Sequence, residues 1–122
     1  MGTWVSNEHS DLETLGVVKN HLDAVLSGDP AAMAVDYAES AVLIRGTDIY
    51  SGITEIENYF KSLPERMRCS KIEFFEPQVS GKIVTFQWKI QKIHMHFEGL
   101  DTLVISNGKI VKHLVELLSE DF

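Results

Sequence analysis

The chain has 122 residues, with 11 Lys or Arg against 18 Asp or Glu, a formal net charge of −7. That length is one domain, and a hydrophobic fraction of 44% with 24% charged residues describes a folded globule with a single core. The acidic balance excludes general nucleic-acid binding, which needs a basic stripe over the phosphates. A single cysteine, Cys69, excludes an internal disulfide framework and suits a reducing, cytoplasmic location.

In chain order, residues 1–9 read as a flexible leader and 10–122 as the domain. Met1-Gly2-x-x-x-Ser6 has the form of an acylation signal, but the pattern is short and common. No basic start with an apolar block marks a signal peptide, and the longest apolar runs, such as Ala41 to Ile44, are far too short to span a membrane. Ser10 with Glu13 forms a capping box. Leu12, Leu15, Val18, Leu22 and Val25 then recur at helical spacing up to Gly28, a good C-cap residue. Asp29-Pro30 restarts a helix over residues 31–39, with Asp as N-cap and Pro in the first turn. A strand from Ala41 to Arg45, a turn at residues 46–48 and a short extended piece lead to Gly52. Thr54 with Glu57 opens a third helix that reaches Leu63, and Pro64 follows.

Beyond Arg68 the pattern becomes that of strands: Lys71 to Val79, Ile83 to Ile93, Met95 to Ile105 and Lys109 to Leu118, rich in β-branched and aromatic residues. Ser80-Gly81 and Asn107-Gly108 mark turns. Helices followed by successive antiparallel strands predict an α+β fold with the helices covering one face of a curved sheet. For the last hairpin, a two-residue loop would oppose Thr102 to His113 and Asp101 to Leu114. A three-residue loop, Ser106-Asn107-Gly108, pairs Asp101 with His113 and Leu103 with Val111. The second register is preferred. It gathers Gly99, Asp101, Leu103, Val111, His113 and Val115 on one face, and leaves Lys112, Glu116 and Ile110 on the other. One carboxyl then stands beside one imidazole on an otherwise apolar face.

Three stretches together resemble the nuclear-transport-factor-2-like superfamily, and within it the SnoaL-like polyketide cyclases and ketosteroid isomerase. They are His21-Leu-Asp-Ala-Val-Leu-Ser-Gly-Asp-Pro30 through Tyr37-Ala-Glu-Ser-Ala41, then Tyr50-Ser-Gly-Ile-Thr-Glu-Ile-Glu-Asn-Tyr-Phe60, then Phe97-Glu-Gly-Leu-Asp-Thr-Leu-Val-Ile-Ser-Asn-Gly-Lys-Ile110. The resemblance implies a cone: a strongly bent antiparallel sheet wrapped around N-terminal helices, with a pocket inside, commonly in a homodimer. It places Asp101 where the isomerase keeps a protonated aspartic acid, a carboxylic acid held neutral so that it can donate a hydrogen bond. It places His21 at the isomerase's hydrogen-bonding tyrosine, Tyr37 at a supporting tyrosine on the second helix, and Tyr59 and Phe60 at an aromatic pair of the pocket. Arg45 falls where the isomerase has its general-base aspartate. Arginine does not accept a proton at physiological pH, so the isomerase mechanism does not transfer, and the acid–base role of the cyclases suits Asp101 better.

The candidate catalytic residues are therefore Asp101, His113, His21 and Arg45. A carboxyl on an apolar face is costly unless paired or neutral. Against it His113 serves as acid or base or as a satisfied core histidine. Arg45 clamps a ligand oxygen with its planar fork or acts as counter-ion of Asp101. Tyr37, Tyr59, Phe60, Phe86, Trp88 and Phe97 are expected at the pocket. His94-x-His96 has a metal-ligand spacing, but its parity turns it away from Asp101 and no third ligand follows, so no metal site is assigned. Lys61, Arg66, Arg68 and Lys71 form one basic cluster, broken by Glu65. The resulting expectation is a cofactor-independent enzyme of the cyclase, isomerase or lyase type. It would move a proton beside the carbonyl of a small hydrophobic ligand, with no nucleic-acid or membrane partner. The alternative is a non-catalytic ligand-binding or dimerisation module of the same fold.

Overall fold

The computed structural model describes residues 2–63, 71–92 and 95–119, and side chains within these from Asp11 onward except at residues 92 and 95. Pro64, Glu65, Arg66, Arg68, Cys69 and His94 lie outside the described residues.

Helix α1 runs Gly2–Ser27, so Ser10 and Glu13 stand inside it rather than at its start. Its buried face carries Thr14, Val18, His21 and Leu22, with Leu15 and Val25 partly buried against the core. Leu12, counted in the sequence stripe, is 64% exposed. At 100° per residue it sits roughly 120° round the helix from Val18. Thr14 donates its hydroxyl to the Gly81 carbonyl at 2.7 Å, and the Gly81 N–H donates to Asp11 at 2.7 Å. Those two bonds pin α1 to a turn of the sheet.

Gly28, at φ 74°, ends α1 in the left-handed region that glycine adopts without penalty. Asp29 then caps α2 (Pro30–Val35), accepting from the Ala31 and Ala32 N–H groups. This helix is shorter than the sequence suggests. The Asp36 carbonyl accepts from the Ile110 N–H at 2.8 Å, and the chain turns extended at Tyr37 to begin β1 (Tyr37–Arg45). Tertiary pairing overrides a weak local helix preference there, and Tyr37 belongs to a strand rather than to the second helix.

A two-residue turn at Gly46-Thr47 returns β1 into β2 (Asp48–Ser51). Helix α3 (Gly52–Lys61) starts at Ser51, whose N–H donates to Glu55 at 3.0 Å, so Thr54 and Glu57 are not its cap. It buries Ile56, Tyr59 and Phe60, with Leu63 just beyond its end. The expected strand Lys71 to Val79 is two strands, β3 (Lys71–Phe74) and β4 (Gln78–Ser80). Pro77 between them has no N–H to give a ladder. Both pair with β5 (Ile83–Lys92), which pairs with β6 (Met95–Ser106), which pairs with β7 (Lys109–Leu117).

The result is an α+β fold with a curved, open sheet in the order β2-β1-β7-β6-β5-β3, β4 pairing β5 beside that path. All pairs are antiparallel except β1 with β7, which is parallel, so the sheet is mixed rather than wholly antiparallel. Among the described residues no helix is long and apolar enough to cross a membrane.

The β6–β7 hairpin departs from the expected register in an instructive way. Asn107 (φ 52°) and Gly108 (φ 74°) form a two-residue turn with both φ positive, the type that Asn-Gly favours. Ile105 pairs with Ile110, and the register then shifts so that Val104 pairs with Lys112. Val111 is the extra residue, a bulge that reverses the facing of everything after it. Asp101 therefore pairs with Val115, and His113 with Leu103. Ile110, expected on the polar face, is fully buried, while Asp101, Leu103 and His113 share the inner face as the sequence suggests.

Candidate active site

The inner face of the sheet, α1 and α3 line a partly open cavity of about 60 Å³. That is room for roughly four or five water positions. Its walls are apolar, with Leu22, Phe60, Leu63, Phe74, Phe86 and Ile90 among them. Among the described residues, the ionisable groups on its wall are Asp101, His113, His21 and Tyr59.

Asp101 reaches the cavity from β6 and is fixed from two sides. Trp88, on β5, donates its indole N–H to Oδ1 at 2.9 Å. His113, on β7, lies 2.7 Å from Oδ2 through Nε2. Trp88 lies directly across from Gly99, and the indole occupies the space that a side chain at position 99 would need: a Cβ built there overlaps its ring. Gly99 is thus what lets a tryptophan lie flat along the sheet and aim its N–H at a carboxylate two residues further along β6.

The network continues inward. Tyr37 Oη is 2.6 Å from His113 Nδ1 and 3.4 Å from His21 Nε2. His21 Nδ1 in turn stands 3.5 Å from Asp36 Oδ2. Those last two atoms are buried and, among the described residues, lack an aligned hydrogen bond. They approach without bonding. The phenyl ring of Phe60 closes over His21, centroids 5.7 Å apart, and over Tyr37 at the same distance.

Burial disfavours charge on both inner groups. It lowers the His21 pKa below its ordinary 6.5, with the neighbouring His113 adding to the effect and Asp36 opposing it. It raises the Tyr37 hydroxyl well above its ordinary 10, assisted by the negative charge of Asp101. Tyr37 is therefore a neutral phenol, and His21 a ring that holds one proton.

Of the sequence candidates, the structure brings Asp101, His113, His21, Tyr59, Phe60, Phe86 and Trp88 to one cavity. Tyr37 lies behind it, buried, as a hydrogen-bond partner of both histidines. Phe97 is buried in the core but does not line the cavity, and Arg45, at the end of β1 beside Asp48 and Val115, does not line it either. His96 is exposed on β6, as its parity implies. Lys61 pairs with Glu57 at 3.5 Å on the exposed side of α3. No group of three metal-ligating side chains occurs among the described residues.

Sequence reasoning missed Asp36, which adjoins a helix end and carries no motif. It also treated Trp88 as wall only. The pairing of Trp88 with a glycine at the far side of a strand pair is the signal that would have found its role.

Comparison with known proteins agrees with this architecture. The SnoaL-like domain family matches residues 18–113, a span that includes every member of the network. No curated protein matches the chain. Among solved structures, a candidate polyketide cyclase of Sinorhizobium meliloti superposes with a TM-score of 0.73 at 17% identity, covering 83% of this chain and 94% of that one. A candidate ketosteroid isomerase of Kribbella flavida gives 0.80 at 10% identity, with coverages of 92% and 82%. An NTF2-like protein of unknown function from Cytophaga hutchinsonii gives 0.70 at 15% identity, with coverages of 85% and 88%. At such identities these structures share the fold, and a fold hosts many activities. With the family matched over most of its length, the chain belongs to the SnoaL-like family of the NTF2-like fold.

Proposed function

We propose that this protein is a cofactor-independent acid–base enzyme of the cyclase, isomerase or lyase type, acting on a small apolar carbonyl compound bound in the cavity. One observation carries the reading: Asp101 is a carboxylate held rigidly between an indole N–H and an imidazole at the wall of an apolar cavity. A carboxylate offers about four lone-pair positions, and these two partners occupy two. Both nitrogens of His113 and both of His21 are turned toward neighbours, so Asp101 is the base that meets a ligand, with Tyr59 on the same wall. A ligand completes it by presenting a proton, and a C–H beside a carbonyl is the acidic hydrogen an apolar molecule can offer. The surrounding walls are apolar, which strengthens the electrostatics of the step. Arg45 has no part in this reading.

A second reading, a binding or dimerisation module without chemistry, is favoured by the completeness of the His113 bonds, since a fully satisfied network also serves a stable core. The two readings separate when small ketones and β-dicarbonyl compounds are incubated with the protein in D2O and exchange beside the carbonyl is followed by NMR. The enzyme reading expects exchange above the buffer rate for at least one compound. Compounds that bind yet exchange at the buffer rate support the module.

A homodimer and a cytoplasmic location are part of the proposal. The outer sheet face supports the dimer: it carries half-buried Val42, Ile44, Leu100 and Val104 and exposed Leu114. Sedimentation at twice 13.8 kDa is the expected result.

A further inference from the structure

We propose that Tyr37 links His113 to His21 in a proton relay that connects the cavity carboxylate Asp101 to Asp36, a side chain 17% exposed at the far end of the chain of contacts. The use of such a relay rests on the acid–base reading above; its existence does not, because it is a property of the resting protein.

The argument is one of donors and acceptors. Trp88 is a donor only, so it assigns Oδ1 of Asp101 as acceptor. The carboxylate accepts at Oδ2 as well, which puts a proton of His113 on Nε2; the relay takes this ring as the neutral imidazole, whose Nδ1 is then an acceptor. The Tyr37 hydroxyl, 2.6 Å away, then donates to His113 Nδ1. Its oxygen is left to accept from His21, whose single proton therefore sits on Nε2. His21 Nδ1 becomes a bare lone pair, and what it faces is a carboxylate oxygen of Asp36.

Two acceptors facing each other cannot bond. This explains why His21 Nδ1 and Asp36 Oδ2 approach to 3.5 Å and remain unsatisfied. The buried mismatch sits where the assignment of every other proton says it must. It also marks the point at which a proton enters. A proton arriving there binds His21 Nδ1 as the Nε2 proton passes to Tyr37 Oη, the Tyr37 proton passes to His113 Nδ1, and the His113 Nε2 proton passes to Asp101. Each of the three groups loses one proton and gains one, Asp101 gains one, and one is taken from the Asp36 side. Every hydrogen bond in the chain is then reversed, and His21 Nδ1–H points at Asp36. Tyr37 never passes through a phenolate, consistent with its strong hold on its proton. The relay thus gives Asp101 a path for protons that does not pass through the ligand site.

Asp101→Asn sets the switch without substrate. Trp88 N–H must still find an acceptor, so it takes the amide oxygen and turns the amide NH2 toward His113 Nε2. His113 must then carry its proton on Nδ1, Tyr37 must turn to His21, and His21 must move its proton to Nδ1. Nitrogen-15 NMR of histidine-labelled protein reads the tautomers directly. The relay expects Nε2–H on both His113 and His21 in the wild type and Nδ1–H on both in Asp101→Asn. Tyr37→Phe breaks the link: His113 still switches between Tyr37→Phe and the Asp101→Asn/Tyr37→Phe double variant, while His21, left facing the Asp36 carboxylate, keeps one and the same tautomer in both. A His21 tautomer that is the same in wild type and Asp101→Asn overturns the relay, as does a His21 tautomer that still changes with residue 101 when position 37 is Phe. An Nδ1–H tautomer of either ring in the wild type overturns it with no variant at all. Failure of carbonyl exchange with the switch intact overturns the enzyme reading and leaves the relay standing.

Discussion

The two ends of the buried network are built to different tolerances. At the Asp101 end, three contacts of 2.9, 2.7 and 2.6 Å join an indole, a carboxylate, an imidazole and a phenol. At the Asp36 end, the contacts lengthen to 3.4 and 3.5 Å and the last one is unaligned. The difference follows from what holds each end. Asp101, Trp88 and His113 stand on three adjacent strands whose ladders fix their spacing. His21 comes from α1 and Asp36 from the junction between α2 and β1, where no ladder sets the distance. A rigid sheet makes the tight, directional end, which is where chemistry needs preorganisation. Helix-to-loop packing makes the slack end, which is where a proton can be taken up.

This contrast predicts a graded set of effects. The largest loss of stability is expected for His113→Ala, which leaves the Asp101 carboxylate with Trp88 as its one remaining partner in this network. Removing one member of a buried pair costs on the order of 3–5 kcal/mol, read as a fall in the denaturant midpoint. Next is Gly99→Ala. Its methyl group displaces the Trp88 indole, at a cost of about 1–3 kcal/mol for an overpacked position, together with a change in tryptophan emission. An unchanged spectrum would show that the glycine does not position the indole.

The pH dependence comes third. Burial holds the folded His21 pKa below the 6.5 of the unfolded chain, so on acidification the unfolded state binds the proton first. Stability is therefore complete above about pH 6.5 and falls as pH drops below it, by up to about 1.4 kcal/mol per pH unit for one such group. His21→Phe should flatten the thermal midpoint between pH 6.5 and 5. The smallest effect belongs to the slack end. Asp36→Asn removes no aligned side-chain bond, and its amide can donate to His21 Nδ1, so stability should change by less than about 0.5 kcal/mol or rise slightly. A loss comparable to that of His113→Ala would erase the distinction between the two ends.

How much of this was readable in the sequence depends on the physical scale involved. That Asp101 and His113 share one buried face followed from alternation alone, because a sheet face is set by parity. Their exact pairing did not, because the Val111 bulge cancels the parity change made by the short Asn107-Gly108 turn, and neither strand's composition marks a bulge. The extent of the second helix was misjudged because Tyr37 is drawn into β1 by pairing with Ile110, a partner 73 positions away by residue number. Asp36 was invisible for the same reason: its neighbourhood with His21 exists once α1 and β1 are packed. Arg45, suggestive by position in the family, stands outside the cavity wall.

The central claim is that the Asp101 carboxylate is the group that exchanges a proton with the ligand. The most direct test compares wild type with Asp101→Asn in deuterium exchange beside the carbonyl of a bound compound, both proteins shown folded and equally saturated. The account predicts a loss of at least about 100-fold in the exchange rate, the low end of what a general base contributes. Equal rates in the two proteins would contradict it.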